Sequence, residues 1–288
     1  MDVRSLLDDY SLEITVKDVQ VLATFREHIT PGTPISITFL PGNVIEELVA
    51  TASAVRRLGF EPVPHISARR LSSARDLERL VAGLREDAQV ERTFVIGGDP
   101  DQPHGPFDSA LSVIETGTLA RNGIRQVGIA GYPEGHPGIA VDLLEGALSA
   151  KLELIERQGL SAEIVTQFVF DSDAVMRWLR DLRSRGIDAP ARIGIPGPAS
   201  VKSLIRFAAR CGVGASAKVL AKYGISIGRL LSTASPDRLM CALASQLDPA
   251  RHGTVKTHLY PFGGIAQTTD WLSRLSDHAS SATLEPTQ

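Results

Sequence analysis

The chain has 288 residues, 43% hydrophobic and 22% charged, with a formal net charge of −3 and a mean hydropathy of +0.03. That is the profile of a soluble globular protein with a sizeable core, and its charge gives no general pull toward nucleic acid or an anionic membrane. No apolar run approaches the roughly 20 residues that span a bilayer, and Met1-Asp-Val-Arg-Ser5 does not read as a signal peptide. The expected compartment is the cytoplasm. Cys211 and Cys241 fall in helical-looking segments without CxxC or Cys/His spacing, and read as buried thiols rather than metal or redox groups.

After a polar start, residues 11–16 alternate polar and apolar and read as a first strand. Glu13 lies on it. Facing a barrel or sheet interior, its carboxylate would sit in low dielectric, which raises a carboxyl pKa and suits proton transfer. At a sheet edge it would be a solvated acid. Residues 34–39 form a second strand, ended by Leu40-Pro-Gly, and 44–58 a helix stopped by Gly59. The third strand, 61–66, ends near His65 and Ser67, and Ser72 or Ser73 caps a helix through about residue 84. The fourth, 92–96, runs into Gly97-Gly98-Asp99-Pro100, followed by a loop and a helix over 107–115.

Residues 127–131 make a short uncharged strand that a Gly-Tyr-Pro turn stops abruptly. Just beyond it stand Tyr132, Glu134 and His136, polar-tipped groups at the end of a buried strand, where α/β enzymes build sites. A helix follows over about 139–158, then a sixth strand over 162–170, with Asp171 and Asp173 placing negative charge at the next helix start. Residues 191–195 are a seventh strand, followed by Pro-Gly-Pro and a helix through Cys211. A helical tract over 236–247 precedes an eighth strand, 254–259, and helix signals resume after Gly264. The tail, 280–288, has a disordered composition, so one domain covers 1–279.

Eight strands alternating with helices, with no linker or compositional break, fit a single (β/α)8 TIM barrel better than an open sheet. Glu13, Thr38, His65, Asp99, Tyr132, Gln167 and the Tyr260–Phe262 pair then share the rim at the C-terminal strand ends, where such barrels place their sites. GxGxxG after a strand, GxxxxGK[ST], HExxH and GxSxG are all missing. The histidines lack a repeated metal-ligand spacing, so no metal site is expected. Glycines at 97 and 98 would let the backbone approach a flat ligand, with Asp99 bonding a ring edge; the alternative is a plain strand-ending turn. Lys151 reads by default as a solvated helix lysine, and Arg56-Arg57 and Arg69-Arg70 as helix surface.

In series, these residues resemble the methylenetetrahydrofolate reductase family. The match runs through Leu12-Glu13, Ser36-Ile-Thr38, Pro64-His-Ile-Ser67, Gly98-Asp99, Tyr132-Pro-Glu-Gly-His-Pro137, Thr166-Gln-Phe-Val-Phe-Asp171, Pro196-Gly197 and His258-Leu-Tyr260. It covers roughly residues 10–270, and the Tyr-Pro-x-x-His-Pro and Thr-Gln-Phe-x-Phe-Asp pieces are the most specific.

The resemblance implies a barrel carrying noncovalent FAD over its C-terminal rim. The implied reaction interconverts 5,10-methylene- and 5-methyltetrahydrofolate, with NADH or NADPH as co-substrate. The methylene bridge must open to an iminium at N5 before hydride arrives, and a protonated acid assists that opening. By family position the acid is Glu13, kept protonated by burial. Asp99 takes the place of an aspartate near flavin and folate, where its charge acts on both. Thr38, His65, Gly97, Gly98, Ala110, Tyr132, His136 and Lys151 correspond to the FAD-contacting stretches, and Gln167 and Phe207 to substrate and nicotinamide positions. Tetrahydrofolate derivatives are the implied partners, and barrels of this family commonly form homo-oligomers. Four departures stand out, one being that the acidic and asparagine FAD contacts of the family's long helix are poorly matched here, leaving Lys151 alone to be proposed on it. Gly97-Gly98-Asp99 replaces Arg-Gly-Asp, Pro261-Phe262-Gly263-Gly264 replaces Thr-Leu-Asn-Arg, and Ser203 stands near the place of a glutamine. An altered electron donor, with methylfolate oxidation or partner-fed reduction, is therefore the alternative to NAD(P)H-driven reduction. A non-flavin barrel lyase is a third class, because fold alone never sets function.

Overall fold

A computed structural model of the chain describes residues 2–211 and 233–281. Its strands are β1 (Ser11–Ile14), β2 (Pro34–Ile37), β3 (Glu61–Ser67), β4 (Arg92–Ile96), β5 (Gln126–Gly131), β6 (Ser161–Phe168), β7 (Ala191–Pro196), the two-residue β8 (Ala199–Ser200) and β9 (Thr233–Ala234), and β10 (Val255–Tyr260). All but β8 and β9 close into one parallel barrel in the order β1-β10-β7-β6-β5-β4-β3-β2. The (β/α)8 expectation holds. The first two strands stop at Ile14 and Ile37, earlier than the sequence suggests, and Val169 and Phe170 fall beyond the end of β6.

Alternation along each strand sorts side chains between two environments. Leu12, Ile14, Ile35, Ile37 and Ile164, each 0–2% exposed, face the helices and make the apolar core. Residues of the opposite parity, including Ser11, Ser36, Glu163 and Arg192, line a cavity inside the barrel. The helices supply matching stripes: Ala74–Ala88 buries Leu77, Leu80, Val81 and Leu84, and its N-cap Ser73 accepts a hydrogen bond from the Asp76 amide. Asp171 caps the helix Ser172–Ser184 by accepting from the Asp173 amide. The N-terminal end of the barrel is closed by charge. Arg192, 2% exposed, is ion-paired with Glu163 at 2.9 Å and with Asp9 at 3.3 Å, and Lys256 pairs with the same Asp9.

Several expectations change. Cys241 is exposed and Cys211 half-buried; the helix Asp237–Gln246 buries Leu239, Met240, Leu243 and Ala244, which turns position 241 outward. The helix expected from 107 begins at Ala110, with Ser109 as its cap, and Phe107 packs as a buried loop residue. The last helix runs through Ser281, and the rest of the expected tail, 282–288, lies outside the described residues. Short helices at Val3–Leu7, Val19–Thr24 and Thr118–Arg121 span too few turns to leave a period in the sequence.

The β6–β7 register shifts between Val165 and Phe168. Gly194 makes this possible, because a Cβ there would lie 2.7 Å from the Thr166 carbonyl and 2.8 Å from Gln167 backbone atoms. The Gly194 amide donates to Thr166 Oγ1 at 2.8 Å, closing the irregularity that carries Gln167. Gly194→Ala is expected to destabilise the protein by about 2 kcal/mol in urea unfolding, as overpacking against fixed backbone does. An unchanged midpoint would show that β6 does not approach so closely.

Candidate active site at the barrel mouth

Glu13, His65 and His258 arrive from β1, β3 and β10 and meet inside the barrel. Glu13 Oε2 lies 3.7 Å from His65 Nε2 and 3.6 Å from His258 Nε2. Both imidazoles are buried, and neither Nε2 has a hydrogen-bond partner among the described residues. Burial pushes the His65 pKa down to about 4, against the pull of Glu13, so its ring is neutral at neutral pH. Aromatic rings hold the two imidazoles in place. Phe94 meets His65 edge-on at 4.8 Å, and Tyr260 meets His258 at 4.7 Å. The Tyr260 hydroxyl in turn donates to the Thr166 carbonyl at 3.0 Å. Two unpaired ring nitrogens around one partly buried carboxylate form a polar pocket suited to proton transfer.

The remaining candidates stand around this centre. Buried Thr38 donates its hydroxyl to the Ile14 carbonyl, tying β2 to β1. A Cβ at Gly97 would meet nothing within 4 Å, and Gly98 needs its glycine, with φ +93°. Asp99, largely exposed, pairs with Arg70, whose side chain is only 11% exposed. The Arg69 guanidinium donates to the Asp108 and Pro100 carbonyls. This corrects the reading of Arg69-Arg70 as helix surface: they sit in the turn Ala68–Arg70 directly after β3 and brace the Asp99 loop. Ala110 is the buried first residue of its helix.

Beyond β5, Tyr132 and His136 meet edge-on at 5.3 Å, and His136 Nδ1 accepts from the Gly138 amide. Glu134 is a latch that the sequence did not single out for a role. Its Oε1 accepts from the Phe170 and Asp171 amides at 2.7 and 2.9 Å, tying the β5 loop to the end of β6. Lys151 is half-buried rather than solvated; desolvation pushes its ammonium down to about 8. No hydrogen bond or ion pair joins it to the other candidates. On β6, Gln167 Oε1 accepts from the Phe168 amide. Phe207 stacks on Phe262 with centroids 4.1 Å apart and planes at 14°, and Tyr260 and Phe168 continue that aromatic wall. Among the described residues no group of three His, Cys, Asp or Glu side chains is placed to hold a metal ion.

His258, matched in the family series, was given no role by the sequence reading. It sits mid-strand in Val255-Lys-Thr-His-Leu-Tyr260, and only its pairing opposite Ser11 shows where it points. Arg70 was also missed, since its role depends on a partner 29 residues away.

Comparison with known proteins bears on the family and the fold. A family model described as methylenetetrahydrofolate reductase matches residues 26–225. The 5,10-methylenetetrahydrofolate reductase of Pectobacterium carotovorum is 27% identical over 161 residues, 54% of this chain and 50% of the relative. Methylenetetrahydrofolate reductase (NADH) 1 of Zea mays is 28% identical over 138 residues, 42% of this chain and 23% of that protein. The matches thus span half or less of these relatives. Among solved structures, an uncharacterised Clostridium thermocellum protein described as binding two copies of 5-methyl-5,6,7,8-tetrahydrofolic acid superposes with a TM-score of 0.62 and 11% identity, covering 95% of this chain and 96% of that one. Burkholderia cenocepacia dihydropteroate synthase gives 0.51 and 14% identity, covering 96% and 93%. At these identities the structures share the fold.

The depressed His65 pKa makes stability depend on pH. The folded protein binds this proton less readily than the unfolded chain, so stability is full above 6.5 and is lost as pH falls toward about 4. Urea unfolding is expected to show roughly 3 kcal/mol of that loss from this group, and His65→Gln should remove it. Equal pH slopes for the two proteins would contradict the buried neutral ring.

Proposed function

The chain belongs to the methylenetetrahydrofolate reductase family, and from that membership we propose that it is a flavin-dependent oxidoreductase interconverting 5,10-methylenetetrahydrofolate and 5-methyltetrahydrofolate. The observation that carries this reading is the Glu13 carboxyl held beside two unpaired imidazole nitrogens at the barrel mouth. Tetrahydrofolate derivatives are the proposed substrates. The Clostridium thermocellum barrel, described as binding a methylated tetrahydrofolate, lends support to that class.

The residues present fit FAD. Lys151 is a half-buried cation without an acidic partner among the described residues, which suits an anionic phosphate. Gly97 leaves open space where a flat ring can approach. In this reading Lys151 holds the diphosphate, and Thr38, His65, Gly97, Gly98, Ala110, Tyr132 and His136 line the cofactor's path along the rim. Arg70 restores a cation beside Asp99, where the family's arginine is replaced by Gly97. When bound, FAD supplies the hydride chemistry.

The protein's own groups prepare the folate. Glu13, as general acid, gives its proton to the bridge nitrogen that departs, so the one-carbon unit becomes an N5 iminium able to accept hydride. Asp99 stabilises that cation through its charge. Gln167, held by the β6 irregularity, bonds the pterin edge, and the aromatic wall excludes water from the iminium.

A second reading has one specific observation in its favour. Phe207, the aromatic assigned to substrate or nicotinamide, already has Phe262 stacked on it at 4.1 Å. With that face covered, NADH and NADPH bind poorly and electrons enter or leave through methylfolate or a partner protein.

Two outcomes test the proposal. Glu13→Gln is expected to lower folate turnover by about 100-fold or more while the FAD dissociation constant changes little; wild-type turnover in that variant would remove the general acid. FAD affinity, followed by flavin fluorescence, should fall as pH rises through about 8 and Lys151 loses its charge. Lys151→Met should bind weakly with no such pH step. A pH-independent affinity in both proteins would move the diphosphate elsewhere.

A further inference from the structure

Ser11 and His258 stand opposite each other in the β1–β10 register, and Ser11 Oγ is 2.7 Å from His258 Nδ1 with both residues buried. Two tautomers satisfy this contact, and the surroundings choose between them. With the proton on Nδ1, the Ser11 hydroxyl hydrogen would have no acceptor among the described residues. The bare Nε2 lone pair would then face Glu13 Oε2 at 3.6 Å. With the hydroxyl donating to Nδ1, its hydrogen is used, and the Nε2–H turns its positive end toward Glu13 Oε2. Nε2 lacks a hydrogen bond in either case, but the first arrangement also strands the buried hydroxyl hydrogen, and an unpaired buried donor costs its desolvation, so the second arrangement is favoured.

We propose that Ser11 and His258 are positioning residues for Glu13: Ser11 sets the tautomer of His258, and the His258 Nε2–H orients the Glu13 carboxyl and stabilises the anion left when it gives up its proton. The inference rests on the folate-reducing reading above. Glu13 transfers one proton to the departing folate nitrogen and becomes a carboxylate; His258 and Ser11 keep theirs throughout. The 3.6 Å separation closes to a hydrogen bond as charge develops on Oε2, as catalytic contacts do when the reacting complex forms. His65 flanks the same oxygen at 3.7 Å, but no hydroxyl contact of this kind sets its tautomer. The asymmetry gives His258 the directing role.

The decisive experiment pairs a spectroscopic reading with kinetics. In 15N-histidine-labelled protein without folate, at mildly alkaline pH, His258 should be a single neutral tautomer protonated at Nε2. In Ser11→Ala a share of Nδ1-protonated ring should appear. The same variant should lose at least about tenfold in kcat with KM for methylenetetrahydrofolate and FAD binding unchanged, and Ser11→Thr, which keeps the hydroxyl, should recover most of the rate. A wild-type His258 protonated at Nδ1 overturns the proposal, as does a Ser11→Ala protein with wild-type kcat. Should the wild-type protein turn over no folate at all, the folate reading falls, while the tautomer in the folate-free protein still decides this inference.

Discussion

Closing eight strands into a barrel leaves the Glu13 side chain on the inner face of β1, with 18% of its surface exposed and two imidazoles against one oxygen. A carboxyl so placed needs polar neighbours, because a polar group taken out of water costs free energy unless it is paired. The polar interior around it follows from that requirement. His65 and His258 present unpaired nitrogens, Ser11 braces His258, and Phe94 and Tyr260 lock the rings by edge contacts. The rim loops then enclose a centre that already exists.

The two ends of the barrel solve different problems. At the N-terminal end Arg192, Glu163, Asp9 and Lys256 neutralise one another in a closed network. Within it only Arg192–Glu163 is buried on both sides, and removing one partner of that pair leaves a buried charge, a cost of about 3–5 kcal/mol. That end is for stability. Toward the C-terminal end the Nε2 atoms of His65 and His258 have no hydrogen-bond partner among the described residues and Gly97 leaves space, the condition of a site built to meet a ligand.

Much of this was legible in the chain. Short apolar or alternating runs bounded by Gly and Pro located all eight barrel strands, and Ser73, Gly59 and Asp171 act at helix ends as their residue types require. Assuming closure put Glu13 and His65 together on the rim at the C-terminal strand ends. What escaped depends on contacts across the sequence. Ser11 and His258 are 247 residues apart, and only the β1–β10 register joins them. Arg70 reads as surface until Asp99 folds over it, and Phe262 reads as part of the stretch that loses an arginine at Gly264 until it stacks on Phe207. The exposed Cys241 shows the limit of residue-type averages, since helix phase decides burial.

The centre at Glu13 accounts for one-carbon folate chemistry only if the barrel passes electrons between methylfolate and a flavin. Anaerobic rapid mixing of FAD-loaded protein with 5-methyltetrahydrofolate, followed at the flavin absorbance, reads that step directly. Bleaching of the oxidised flavin, with reoxidation on adding methylenetetrahydrofolate, is the expected result. A flavin spectrum unmoved by either folate, in protein shown to hold FAD, would contradict it.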